Sequence, residues 1–279
     1  MSLLKVKRIL PVRFIKKMRG GSQSALIEAS DGLAHIVKWQ FNPQGSRVVL
    51  NEALGTALYQ EIGLPTPQWS AMEVCDAFID ANPDMWFSSN SGPVRPKAGL
   101  HFASSIVGAE NQTVFEVLPG TWYERIQNRD AILGALVADV WSDHVDSRQA
   151  LFLQRGGEHA LSMVFIDHGH MFGGPDCAQR MRLRACFHLD MRMYAGLDLA
   201  DRLDSWIQRI QDGGMAMLAN AASSIPEEWQ SSSLQENVDR LKTNLPKLRG
   251  MLIPAVYRWI FQEIQKSRCI EYKKSLIVA

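Results

Sequence analysis

Apolar positions between Asn128 and His144 recur at i, i+3 and i+4, with Ile132, Leu133, Leu136, Val137, Val140 and Trp141 on one continuous helix face. Asn128 can cap this helix and Asp130 suits its first turn. A second helix is predicted from Arg47 to Ile62, where Leu50, Leu54, Leu58 and Ile62 recur every fourth residue; Gly63, Pro65 and Pro67 bar its continuation. Elsewhere the period falls to two. SALIEA and LAHIVKW, joined at Asp31-Gly32, read as paired strands, as do Ala150 to Gln154 and Leu161 to Ile166 on either side of the RGGEH turn. Residues 67–119 are broken by Pro, Gly and Asn. There WFSSNSGPVRPKAG reads as an exposed loop, and HFASSIVG and TVFEVLPG as strands at a sheet edge. Beyond Asp198 the pattern is helical: Leu203, Trp206, Ile207 and Ile210 make one amphipathic segment, which Gly213-Gly214 separates from the next. Pro226, Glu227 and Glu228 suit a helix start, and Leu234 to Leu252 and Ala255 to Ile264 read as further packed helices.

The hairpin around RGGEH carries acids at its base. Asp143 and Asp146 precede its first strand and Asp167 follows its second, so two acidic loops lie side by side. Such a pair can hold a magnesium ion and orient a hydroxyl for attack on a phosphate. Taken singly, Asp146 reads equally as a loop cap and Asp167 as a turn residue. Gly20-Gly21-Ser22-Gln23-Ser24 forms a loop whose amides could approach a phosphate, though such a loop also serves as a plain turn. Lys38 shares a strand face with Ile36 and Ala34, a half-buried place that favours an anionic partner; the alternative is a strand-edge lysine with its head in water.

Composition narrows the class of protein. The 279 residues are 46% hydrophobic and 21% charged with a formal net charge of +1, which gives no global field for nucleic acid or an anionic membrane. No apolar run approaches the ~20 residues that span a bilayer. The basic N-terminus lacks the apolar core and cleavage site of a secretion signal. Cys75, Cys177, Cys186 and Cys269 show no close pair and read as reduced thiols of a cytoplasmic protein. Residues 5–19 carry seven basic side chains and no acid, which suits either a solvated strand or a surface facing polyphosphate. Asp167, His168, His170, Cys177, Cys186 and His188 cluster in sequence, but their uneven spacing argues against a structural zinc site.

Three motifs in order carry a family resemblance: GLHFAS at Gly99 to Ser104, D-x-R-Q-A-x-F beginning at Asp146, and I-D-H-G ending at Gly169. The chain resembles bacterial HipA-like kinases of the protein-kinase-like superfamily over roughly residues 20–190, more weakly beyond. The resemblance implies a two-lobed α+β fold, with a small β-rich lobe over residues 1–120 and a larger, mainly helical lobe over 121–279. It implies an ATP-dependent phosphotransferase using magnesium, with a protein serine or threonine as acceptor and an antitoxin-type protein as possible partner. By this resemblance Gly20, Gly21 and Ser22 cover the phosphates, Lys38 grips them, and Glu52 pairs with Lys38. Glu116 to Leu118 crosses beside the adenine, Asp146 is the catalytic base, and Asp167 binds the metal. Glu52 otherwise reads as a solvated helix charge at the border of its apolar stripe. Ser22 and Ser24 are candidate autophosphorylation sites. Gly173-Gly174-Pro175 opens the segment that would meet the acceptor, followed by Arg180, Arg182, Arg184 and Arg192.

One departure matters. Five residues after the catalytic-loop aspartate these enzymes carry an asparagine for a second metal, and here Leu151 stands. Gln149 is the nearest amide and the candidate replacement, with Asp143 a spare carboxylate; Ser147 follows Asp146 where a basic residue is usual, with Arg148 next to it. An inactive nucleotide- or partner-binding relative and a small-molecule kinase are therefore the alternative readings.

Overall fold

The computed structural model describes residues 6–41, 43–108, 111–177 and 190–259. Strands β1 (Arg8–Ile9), β2 (Pro11–Lys17), β3 (Ala25–Ala29), β4 (Ala34–Lys38), β5 (Trp69–Val74) and β8 (Gly99–Ser105) form a six-stranded sheet in the order β1-β5-β8-β4-β3-β2. All its pairings are antiparallel except β1 with β5. Helix α1 (Val48–Ile62) packs on one face of the sheet. On the other, Ile27, Val37, Trp39, Met72 and Val74 pack beneath α2 (Asp76–Ala81) and the β6–β7 hairpin (Phe87–Ser89 and Gly92–Val94).

The second part of the chain is mostly helical. A three-stranded sheet, β9 (Gln112–Phe115), β10 (Gln149–Arg155) and β11 (Ser162–Ile166), lies beside α3 (Ala131–Trp141). Helices α4 (Leu199–Ser223) and α5 (Ser232–Asn244) follow, and residues 248–259 are again helical. The larger core joins α1, the inner sheet face, α3, the β10–β11 hairpin and these helices. The architecture is the expected α+β one.

Several expectations are corrected. HFASSIVG is no edge strand: β8 lies between β5 and β4, and its residues Leu100 to Ala103 are all buried. The segment expected as an exposed loop contains the β6–β7 hairpin, and β5 and α2 form in the stretch before it, where the sequence pattern is broken. Asn128 does not cap α3; its side chain pairs with the Met163 backbone in both directions at 2.8 Å, continuing the sheet ladder, and Asp130 takes the cap position. Gly213-Gly214 does not end a helix, since α4 runs through both for 25 residues. Gly214 serves close packing instead: a Cβ there would lie 2.9 Å from Leu245 and 3.2 Å from Trp141. Pro226 introduces only a single 3-10 turn, and the α-helix starts at Ser232.

Candidate active site

The strand alternation of β4 buries His35 and Val37 on one side and sets Ile36 and Lys38 on the other, where both line a cavity of about 560 Å³. Helix α1 crosses behind this cavity, buried over nearly its whole circumference because the sheet covers one side and the helical part the other. A polar side chain off the main stripe of α1 is therefore not in solvent. Glu52 is buried and accepts a hydrogen bond from Lys38 Nζ at 2.7 Å. The same ammonium reaches Asp167 Oδ1 at 2.8 Å, and Gln149 Nε2 donates to Asp167 Oδ2 at 2.9 Å. Gln149 opens β10 opposite Ile166, so the hairpin register itself sets this amide beside Asp167.

Charge at this point is unbalanced. Burial alone would lower the Lys38 pKa, yet Glu52 and Asp167 outweigh it and hold the ammonium above its ordinary value. Burial raises the Glu52 carboxyl, with Asp167 adding to the rise against Lys38. Burial also opposes ionisation of Asp167, but Lys38 overcomes it and the net shift is downward. Two carboxylates thus share one ammonium. Their surplus negative charge, with the Gln149 amide at hand and Asp167 a third exposed, fits a hard, oxygen-liganded cation such as Mg2+.

Arg148 braces the hairpin base. Its guanidinium forms a solvent-excluded ion pair with Asp139 of α3 and donates to the carbonyls of Ile166 and Asp167 at 3.2 and 3.4 Å. Its Nη1 lies 3.2 Å from His168 Nδ1, and its plane packs on Tyr59 of α1. Tyr59 donates its hydroxyl to Asp139 at 2.6 Å. Arg148 stands one place beyond where a basic residue is usual after Asp146, and a second sequence signal for it lies in α3, where an aspartate within an apolar helix demands a buried cation.

The acidic loop is stitched to the segment after Asp167. Val145 N–H donates to His170 O, Phe172 N–H to Ser142 O, and Gly173 N–H to Asp143 O, at 2.7 to 3.0 Å. Asp146 is exposed, and its Oδ1 accepts from the Ser147 amide at 2.7 Å. Both Asp146 and Asp167 act electrostatically on buried His144, whose pKa is held near 4 chiefly by burial and then by Arg148. Asp143 is not spare: it pairs with Arg240 at 2.9 Å.

The remaining sequence candidates divide. Gly20, Gly21 and Ser22 lie in the β2–β3 turn, where Gly20 adopts φ 118°, but the neighbours Met18, Arg19 and Ser24 line the cavity instead. Ser22 Oγ and Ser24 Oγ are 2.9 Å apart. Glu116 lines the cavity, whereas Leu118 is buried in the core. The chain leaves the large sheet at Ser105 and joins the small one at Gln112, so the passage between sheets precedes Glu116 to Leu118; Ser105, Ile106 and Val107 line the cavity there. Of the basic N-terminal side chains, Lys7, Arg8 and Arg13 pair with Asp31, Glu228 and Glu28, while Lys16 and Arg19 line the cavity. Arg192 pairs with Asp190. No group of three or more His, Cys, Asp or Glu side chains suited to a metal occurs among the described residues; Arg180, Arg182, Arg184, Cys186 and His188 lie outside them. No helix among the described residues is long and apolar enough to cross a membrane.

No protein-family model matches the chain, and no curated protein matches it in sequence. Solved structures do match. The Helicobacter pylori proinflammatory kinase CtkA aligns over 92% of this chain and 98% of its own, with TM-score 0.54 and 9% identity. The chain has a protein-kinase-like fold. The Golgi casein kinase aligns over 91% of this chain and 72% of its own, with TM-score 0.50 and 8% identity. HipA of Shewanella oneidensis MR-1, solved with HipB and operator DNA, aligns over 90% and 67%, with TM-score 0.50 and 12% identity.

Proposed function

We propose that this chain is an ATP-dependent phosphotransferase that phosphorylates an alcohol, a protein serine or threonine in the manner of HipA-like kinases. The observation that supports this reading most is the Lys38–Glu52–Asp167 constellation, which joins the sheet, α1 and the hairpin base at one wall of the cavity. In this reading residues 1–120 form the nucleotide-covering lobe and 121–279 the lobe that carries the transfer machinery. Lys38 grips the α- and β-phosphates, and Glu52 holds the ammonium in place. Amides of the β2–β3 turn at Gly20, Gly21 and Ser22 cover the phosphate tail, and the base lies toward Glu116 and the Ser105–Val107 passage, with Leu118 in the core behind them. Asp167 and Gln149 hold Mg2+, which when bound neutralises the phosphate charge. Asp146 takes the acceptor hydroxyl's proton as the acceptor oxygen bonds to the γ-phosphorus and the bond to the β-phosphate oxygen breaks, its electron pair leaving with ADP.

Leu151 favours a second reading, a nucleotide-binding module without transfer, because an aliphatic chain lines the cavity where an amide ligand would stand. Incubating the protein with γ-labelled ATP and Mg2+ separates the two. Label on protein that disappears in Asp146→Ala and Asp167→Ala supports transfer, binding without label supports the module, and label on a metabolite alone marks a small-molecule kinase. Neighbouring HipA is seen with HipB, so an antitoxin-type protein in a shared cytoplasm is the partner we propose.

A further inference from the structure

We infer that α5 positions this active site, through a polar face that holds α1, the acidic loop and the segment after Asp167 at once. Glu236, Asn237, Arg240 and Asn244 fall at i, i+1, i+4 and i+8, on one side of the helix. Glu236 pairs with Arg47, at the start of α1, at 2.6 Å. Asn237 Nδ2 donates to Asn51 Oδ1 at 3.0 Å, both side chains being fully buried. Asn51 Nδ2 in turn faces the carbonyls of Gly169, Met171 and Gly174 at 3.1 to 3.2 Å, sharing two N–H groups among three acceptors. Arg240 donates to Asp143 at 2.9 Å and to Cys177 Sγ at 3.0 Å, and Asn244 donates to Trp141 O at 3.0 Å. One helix face therefore reaches α1, the acidic loop and the segment from Gly169 to Cys177.

The chemistry of the contact tells positioning from mere adhesion. Buried amide pairs add little net stability, and apolar side chains would hold α5 in place as well. What amides fix is register, since a small rotation leaves acceptors unpaired in the interior. Asn51 immediately precedes Glu52, and the His168 amide hydrogen-bonds Glu52. Gly169 lies so close that an added Cβ would stand 3.1 Å from Glu52 Oε2. Holding Asn51 thus holds Glu52 on Lys38 and the Asp167 turn beneath both. Asn51, Asn237 and Arg240 are positioning residues, acting on the site through Glu52, the acidic loop and the segment after Asp167.

The kinetic part of this inference rests on the phosphotransferase reading; its structural part does not. Hydrogen exchange on the ligand-free full chain, comparing wild type with Asn237→Leu and Arg240→Met, reads the latter. The amides of Val145, Phe172 and Gly173 should exchange about tenfold faster in each variant while α4 amides hold their rates. Arg240→Lys should restore part of the protection. With γ-labelled ATP, kcat should fall about tenfold in Asn237→Leu, more than KM for ATP changes. Unchanged exchange at the three amides overturns the inference, as does an equal acceleration throughout α4, which would mark general loosening. So does an unchanged kcat in a variant whose loop has loosened. A wild type that transfers no phosphate would overturn the phosphotransferase reading alone, because the exchange comparison still decides whether α5 sets the loop.

Discussion

Arg148 and Asp139 form an ion pair shut away from solvent, and the same guanidinium holds the backbone carbonyl of Asp167. Burial would raise the Asp139 carboxyl, but Arg148 and then His144 and Tyr59 keep its pKa below the ordinary 3.8. Removing one partner strands the other. Arg148→Met should cost about 3–5 kcal/mol in urea unfolding, and Arg148→Met combined with Asp139→Leu clearly less. A single-variant loss under about 1 kcal/mol would show that the pair is hydrated.

His101 and His144 are buried with pKa values near 4, in both cases chiefly because burial disfavours the cation. The folded values lie below the ordinary 6.5, so each histidine contributes stability that is fully present above pH 6.5 and lost as pH falls toward 4. Unfolding free energy should drop across that window by up to about 3 kcal/mol per histidine. His101→Gln should flatten the profile by one histidine's share. An identical slope in the variant would mean that His101 protonates without unfolding.

Lys38→Met leaves Glu52 and Asp167 facing each other without their shared cation. The variant should lose several kcal/mol of stability, about 3 or more, and Glu52→Gln added to it should recover part. In the phosphotransferase reading, transfer falls at least about a hundredfold in Lys38→Met. A thermal-melt double-mutant cycle with no coupling between Lys38 and Glu52 would contradict the geometry.

Adjacent glycines in α4 should behave oppositely. A Cβ at Gly213 meets only the mobile end of Met217, so Gly213→Ala should stabilise by about 0.5–1 kcal/mol. A Cβ at Gly214 meets Leu245 and Trp141 in the core, so Gly214→Ala should destabilise by about 1–3 kcal/mol. Equal effects in chemical denaturation would refute the close helix packing assigned to Gly214.

Leu151→Asn restores an amide to the cavity wall. Calorimetric titration of Mg2+ with a non-hydrolysable ATP analogue should show tighter metal binding than wild type, by about tenfold or more. No change would indicate that the side chain at 151 does not reach the metal.

Local periodicity was enough to find β3, β4, α1, α3 and the β10–β11 hairpin, because each buries a stripe or face that its own spacing announces. Lys38 was legible for the same reason: its strand alternation sets it against a half-buried face. Motif order points to Asp167 and Leu151 points to Gln149 as the nearest amide, and hairpin register brings the two into contact.

What the chain alone could not announce depends on which surfaces meet. The place of Glu52 was ambiguous because an i, i+4 stripe describes one covered face, and α1 is covered on both. Gly214 looked like a break because glycine weakens an isolated helix, whereas here Trp141 and Leu245 require its missing side chain. The central position of β8, the role of Arg148 and the grip of α5 on Asn51 all join residues far apart in sequence. Pairing energies of that kind exist only once the chain has closed on itself, so tertiary structure alone decided them, while spacing of apolar residues had already determined the elements that closed.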